Sequence, residues 1–94
     1  MDLRQLEQIV AIARSGSFSG AAKALGISQP TLSKSISRLE SKLGVQLFER
    51  TNTNARPTPY GQFVAEQASA LLQGVTSLSQ ELDQMARGEA GMLR

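Results

Sequence analysis

Apolar residues recur along the chain at helical spacing, in three short groups and then one long one. Leu3, Leu6, Val10 and Ala13, flanked by Ile9, predict a first helix over residues 3–14. Asp2 is placed to cap it with Gln5 as its capping-box partner, and Gly16 is placed to stop it. Phe18, Ala21, Ala22 and Leu25 make the stripe of a shorter helix over 18–25, capped by Ser17 and ended by Gly26. Its alanines let another helix approach closely. Only Gly26, Ile27 and Ser28 precede the next periodic segment. So short a connection suits two helices crossing steeply, the helix-turn-helix geometry.

The third helix is capped by Ser28 and closed by Gly44, with Leu32, Ile36, Leu39 and Leu43 as its apolar stripe. Ile27 and Leu32 sit at the two positions of a hydrophobic staple. Pro30 falls in the first turn, where its missing N–H leaves nothing unpaired. The polar positions of this segment are unusual. Serines stand at 28, 33, 35, 37 and 41, although serine is a mediocre helix former. Opposite the apolar stripe lie Pro30, Lys34, Ser37, Arg38 and Ser41, with Ser33 on the shoulder. No acidic residue lies on that arc; Glu40 sits beside the stripe instead. Small side chains let a helix lie deep in a DNA major groove about 12 Å wide, where hydroxyls and cations meet phosphates and base edges. Gln29, at the N-terminal end, carries the amide that reads adenine as a bidentate pair. An ordinary three-helix bundle with solvated serines is the plainer alternative.

Val45, Leu47 and Phe48 predict a short strand, Thr51-Asn52-Thr53-Asn54 a turn, and Arg56-Pro57 a returning edge strand. Residues 45–57 thus form a small hairpin, or wing, with Leu47 and Phe48 serving the core. Arg50 and Arg56 flank its turn, where arginines can reach phosphate or a narrow minor groove. The wing reads equally as a hairpin that only covers the core.

Thr58-Pro59 opens a long helix running to about Arg87, roughly 43 Å at 1.5 Å per residue. Val64, Ala68, Leu71, Val75, Leu78, Leu82 and Met85 are separated by alternating steps of four and three. This 3.5-residue period marks a coiled-coil seam. Phe63 and Val64 are expected to dock on the preceding helices, whereas Leu71 to Met85 would lie in water without a partner chain. A homodimer through this helix follows. Its flanking positions carry almost no complementary charge, so salt bridges do not set its orientation. Gly74 costs about 1 kcal/mol in a helix interior and calls for a packing reason.

Composition removes several function classes. There is no cysteine and no histidine, which excludes disulfides, thiolate or histidine metal sites and the commonest nucleophile–base pairs. Glu81 and Asp83 lie two apart on one helix and do not face each other, so no carboxylate pair supports an enzyme. Four aromatics make a base-stacking platform a poor fit. No apolar run reaches the length of a membrane span, and a soluble, cytoplasmic protein is expected. The net charge of +2 hides an asymmetry. Residues 1–58 hold eight Lys/Arg against four Asp/Glu, whereas residues 59–94 hold two against four. A basic first part and a mildly acidic second part point to two separate tasks.

The run MDLRQLEQIVAIARSGSFSGAAKALGISQPTLSKSISRLESKLGVQLFER, the later T-P-Y-G and the closing G-M-L-R closely resemble the DNA-binding part of a LysR-type transcriptional regulator. The resemblance covers essentially the whole chain. It implies a winged helix-turn-helix over 1–58 and a linker helix over 59–87 that dimerises side by side with its twin. It implies further that 88–94 is a hinge to a C-terminal effector-binding domain outside this chain. It places Gln29, Pro30, Thr31, Ser33 and Lys34 toward the major groove, and Ser17 and Arg50 on phosphate. Three departures stand out. Lys34 replaces a common arginine, which favours a point-charge phosphate contact over bidentate guanine reading. Gly20 stands where an arginine is frequent. The wing tip lacks a basic residue, which leaves any minor-groove contact to Arg56.

The expectation is therefore a mainly α fold, a winged helix-turn-helix with a long dimerising helix, that binds double-stranded DNA. It would dock as a homodimer on an interrupted inverted repeat, through Ser17, Gln29, Pro30, Thr31, Ser33, Lys34, Ser37, Arg38, Arg50 and Arg56. The full-length regulator would form a higher oligomer and bind a small-molecule effector; no cofactor or metal is expected in this chain. The rival is a helical protein-interaction module with no nucleic-acid role.

Overall fold

A computed structural model describes residues 1–88. Its elements are α1 (Leu3–Ser15), α2 (Phe18–Leu25), α3 (Gln29–Leu43), β1 (Phe48–Arg50), β2 (Ala55–Pro57) and α4 (Pro59–Arg87). The expected residues 88–94 hinge falls, from residue 89 on, outside the described residues.

Each helix starts on a side chain that satisfies an otherwise orphaned backbone donor. Asp2, Ser17, Ser28 and Thr58 accept the N–H of Gln5, Gly20, Thr31 and Gly61 respectively. Gln5 accepts the Asp2 N–H in return at 3.0 Å, completing the capping box. Each such cap contributes about 1 kcal/mol. Between α2 and α3 the chain turns on Gly26, whose φ of 71° suits a residue without a Cβ. Ile27 packs on the core just before Ser28, as the staple requires.

The core gathers around α1. Ile9 and Ile12 are fully buried against Phe18 and Ala21 of α2, Leu32, Ile36 and Leu39 of α3, and Leu47 and Phe48. Leu6 and Val10 bury the other side of α1 against Ala68 of α4. Leu43, expected on the α3 stripe, is 42% exposed at the end of that helix, because the core closes with Leu39. Among the described residues one polar side chain lies inside. Gln8 is buried, and its Oε1 accepts the Ser35 hydroxyl at 2.6 Å, pinning α1 to α3.

The hairpin is antiparallel, with Phe48 opposite Pro57, Glu49 opposite Arg56 and Arg50 opposite Ala55. The strand begins at Phe48 rather than Val45 for a specific reason. The Glu40 carboxylate accepts the N–H groups of Leu47 (2.7 Å) and Phe48 (3.2 Å), so Leu47 is held to α3 and the ladder to β2 opens at Phe48, opposite Pro57, whose ring nitrogen has no proton to donate. On the other strand, Ala55 N–H donates to Gly16 O at 2.8 Å, tying the wing to the α1–α2 turn.

The root of α4 is bound to the same region. Thr58 N–H donates to Leu47 O at 3.0 Å, and the Thr58 hydroxyl donates to Gln46 O at 2.6 Å. Gly61 lies directly on Leu47, so a Cβ there would overlap the Leu47 carbonyl. The face of α4 turned to the core is Gly61, Val64, Ala65, Ala68 and Leu72. Phe63 sits on the opposite side and is 63% exposed, contrary to the expected docking. Beyond Leu72 the helix leaves the other elements and gives the molecule its 55 Å length.

Candidate nucleic-acid interface

The outer face of α3 is held out from the core by its buried stripe. Gln29, Pro30, Thr31, Lys34, Ser37 and Arg38 are exposed, and Ser33 is half-buried at the edge. Pro30 falls in the opening turn, so the chain reaches the surface there without an unpaired donor. Thr31 is partly committed, because its N–H is capped by Ser28 and its hydroxyl accepts the Ser28 hydroxyl at 2.8 Å.

Two clefts flank this ridge. One, of about 470 Å³, lies between the start of α3 and the wing turn, lined by Ser17, Gln29, Ser33, Arg50 and Thr51 to Asn54. Four of the expected DNA-contacting residues therefore meet at one concavity. The other, of about 410 Å³, separates α3 from the beginning of α1 and brings together Arg4, Thr31, Lys34 and Arg38. Arg4 was not among the sequence candidates. Its position on α1 gave no hint that it would stand beside two cations of another helix.

The charge pattern is one-sided. Among the described residues the only ion pair is Asp83–Arg87, near the far end of α4. Among those residues Arg4, Lys34, Arg38, Arg50 and Arg56 consequently have no carboxylate within ion-pair distance. Arg56 is exposed on β2, facing Glu49 across the hairpin, and lines neither cleft.

Ser17 is half-buried, with its Oγ capping α2 at Gly20 N; its hydroxyl proton has no partner among the described residues. Arg50 is the best-anchored cation. Its guanidinium lies 3.9 Å from the centroid of the Phe18 ring and donates to Ser33 Oγ at 3.2 Å and Ser37 Oγ at 3.4 Å. These contacts join the wing to α3.

The seam residues divide. Leu71, Val75, Leu78 and Leu82 are exposed and Met85 is half-buried. Ala68, expected at a partner interface, is only 1% exposed because it packs on Leu6 and Val10 of its own α1. Val64 is half-buried between the two clusters of its own chain. A small residue at 68 and a β-branched one at 64 fit the close α1–α4 approach, which the heptad spacing could not distinguish from a seam.

Several known proteins are similar to this chain. The small neutral protease regulatory protein of Streptomyces coelicolor is 42% identical over 94 residues, covering all of this chain and 29% of that protein. The SDS degradation transcriptional activation protein of a Pseudomonas species is 42% identical over 93 residues, covering 99% of this chain and 30% of that one. The chain thus spans less than a third of the length of either relative. Among solved structures, the BenM DBD in complex with catB site 1 DNA superposes with a TM-score of 0.86 at 40% identity, covering 94% of this chain and 98% of that one. The CbnR DBD–DNA complex gives 0.81 at 33% identity, covering 93% and 100%. The model of bacterial regulatory helix-turn-helix proteins of the lysR type matches residues 3–62, from the start of α1 through the wing to the root of α4. On that match, the chain belongs to the lysR family.

Proposed function

We propose that this chain, a sequence-specific DNA-binding transcriptional regulator by family, lays the outer face of α3 in a DNA major groove and docks as a homodimer on an interrupted inverted repeat. One observation carries this reading. A convex face of small, hydroxyl-bearing and cationic side chains, free of acids, stands between two clefts whose cations have no carboxylate partner among the described residues. Gln29 and Ser33 are placed for base edges, and Lys34, Arg38, Arg50 and Arg4 for the phosphates on either side. Two-fold symmetry of the protein then matches two-fold symmetry of the site. The exposed Leu71, Val75, Leu78 and Leu82 supply the dimer seam, with Met85 at its end. Each leucine buried there contributes about 1.5–3 kcal/mol.

The longer protein is expected to bind a small-molecule effector through residues beyond this chain, to form a higher oligomer and to reside in the cytoplasm. Among the described residues no helix is long and apolar enough to cross a membrane, and no acidic cluster could hold a metal ion. The rival, an interaction module indifferent to nucleic acid, is disfavoured by the acid-free cationic face of α3.

The test is selection of bound fragments from a random duplex pool, followed by titration of the winner at several salt concentrations. Enrichment of a two-fold-related pair of half-sites, with affinity falling steeply as salt rises, is the expected result. An unenriched pool would refute the reading.

A further inference from the structure

Arg50 stands out because the fold holds it in place. Phe18 is buried and meets Phe48 edge to face, with ring centroids 6.0 Å apart at 82°. The Arg50 guanidinium rests on the outer face of that fixed ring, which is an attractive geometry for a cation. From there it reaches Ser33 and Ser37 of α3. Arginine has five N–H donors and no acceptor, so both serines must accept from it. A serine hydroxyl has one proton and two lone pairs. With the guanidinium on one lone pair, the Ser33 proton is left to be donated to a group entering the cleft that Ser33, Arg50 and Gln29 line together.

We propose that Arg50 is a positioning residue for base recognition: it orients the Ser33 hydroxyl as a hydrogen-bond donor, so that this position of α3 favours a base presenting an acceptor. The acceptors available in the major groove are guanine N7 and O6, adenine N7 and thymine O4; the cytosine amino group is a donor and is disfavoured. The proposal rests on α3 lying in the major groove. It assigns Arg50 two separable tasks. The N–H groups not used on the serines meet phosphate, which is indifferent to sequence, whereas those on Ser33 shape a base preference. Lysine at this position keeps the charge but lacks the planar fork needed to stack on Phe18 and span two hydroxyls.

The 94-residue chain and its Arg50→Lys, Ser33→Ala and doubly substituted variants would be compared on duplexes differing at each half-site position. Thermal melts would establish that all four are folded. The expected result is that Arg50→Lys and Ser33→Ala each relax discrimination against cytosine at the same single position by about fivefold. The double variant should relax it no further, and Arg50→Lys should keep the wild-type salt slope. If Arg50→Lys leaves the preference profile unchanged while Ser33→Ala alters it, or if the two effects multiply, the positioning role is overturned. A wild-type chain with no preference at any position refutes instead the groove placement beneath it.

Discussion

Gln29 is exposed in the opening turn of α3, beside the wing-side cleft. Among the described residues nothing hydrogen-bonds its amide, so its removal should be felt on DNA and not in folding. Gln29→Ala is expected to weaken cognate binding by about 1–3 kcal/mol and to relax one base position, leaving affinity for random duplex unchanged. Parallel titrations on both duplexes check this, and equal losses would sink a reading role. The serines around it teach a different lesson. Their surplus in α3 looked like a surface shaped for DNA, and the exposed Ser37 and Ser41 agree with that. Yet Ser28 caps the helix, Ser35 bonds the buried Gln8, and Ser33 and Ser37 accept from Arg50. Three of these serines meet partners from other elements, Gln8 and Arg50, which spacing along one helix cannot reveal.

At the level of elements, local chemistry was legible and tertiary chemistry was not. All four N-caps and the helix-ending glycines could be placed beforehand, because capping involves residues three or four apart. The start of β1 could not. It depends on Glu40, whose carboxylate reaches out of α3 to take two backbone donors. Gly61 was likewise silent in sequence, being simply a glycine inside a helix. Its backbone in fact abuts the Leu47 carbonyl, so α4 cannot seat on the wing root with any side chain there. Gly61→Ala should destabilise the fold by about 1–3 kcal/mol through this overlap, seen as a lowered midpoint in urea. Gly74, with open space around its Cβ position, should tolerate the same change in a single protomer. That contrast isolates packing from helix propensity, which favours alanine at both sites.

At the level of the whole molecule, the outer half of α4 has no apolar cover among the described residues. Leu78 is 68% exposed, well beyond the last contact with α1. Leu78→Glu should therefore leave the melting of the winged unit unchanged while converting dimer to monomer. It removes about 1.5–3 kcal/mol of apolar burial per protomer and adds the cost of burying a charge. Sedimentation reads the change of oligomeric state, and loss of tight binding to the paired site, but not to a half-site, reads its consequence on DNA. The 3.5-residue period disclosed the helix and its unpartnered stretch; it assigned Ala68 to the wrong neighbour because α1 and a second copy ask for the same apolar spacing. A mechanical consequence follows from the way α4 begins. Thr58 and Gly61 fasten the helix to Gln46 and Leu47, immediately before the first strand of the hairpin, leaving no free joint between arm and wing. Arm and reading head thus turn as one lever. For the proposed homodimer, half-sites moved apart would have to be met by bending or twisting of the double helix, whose stiffness would then enter the selectivity.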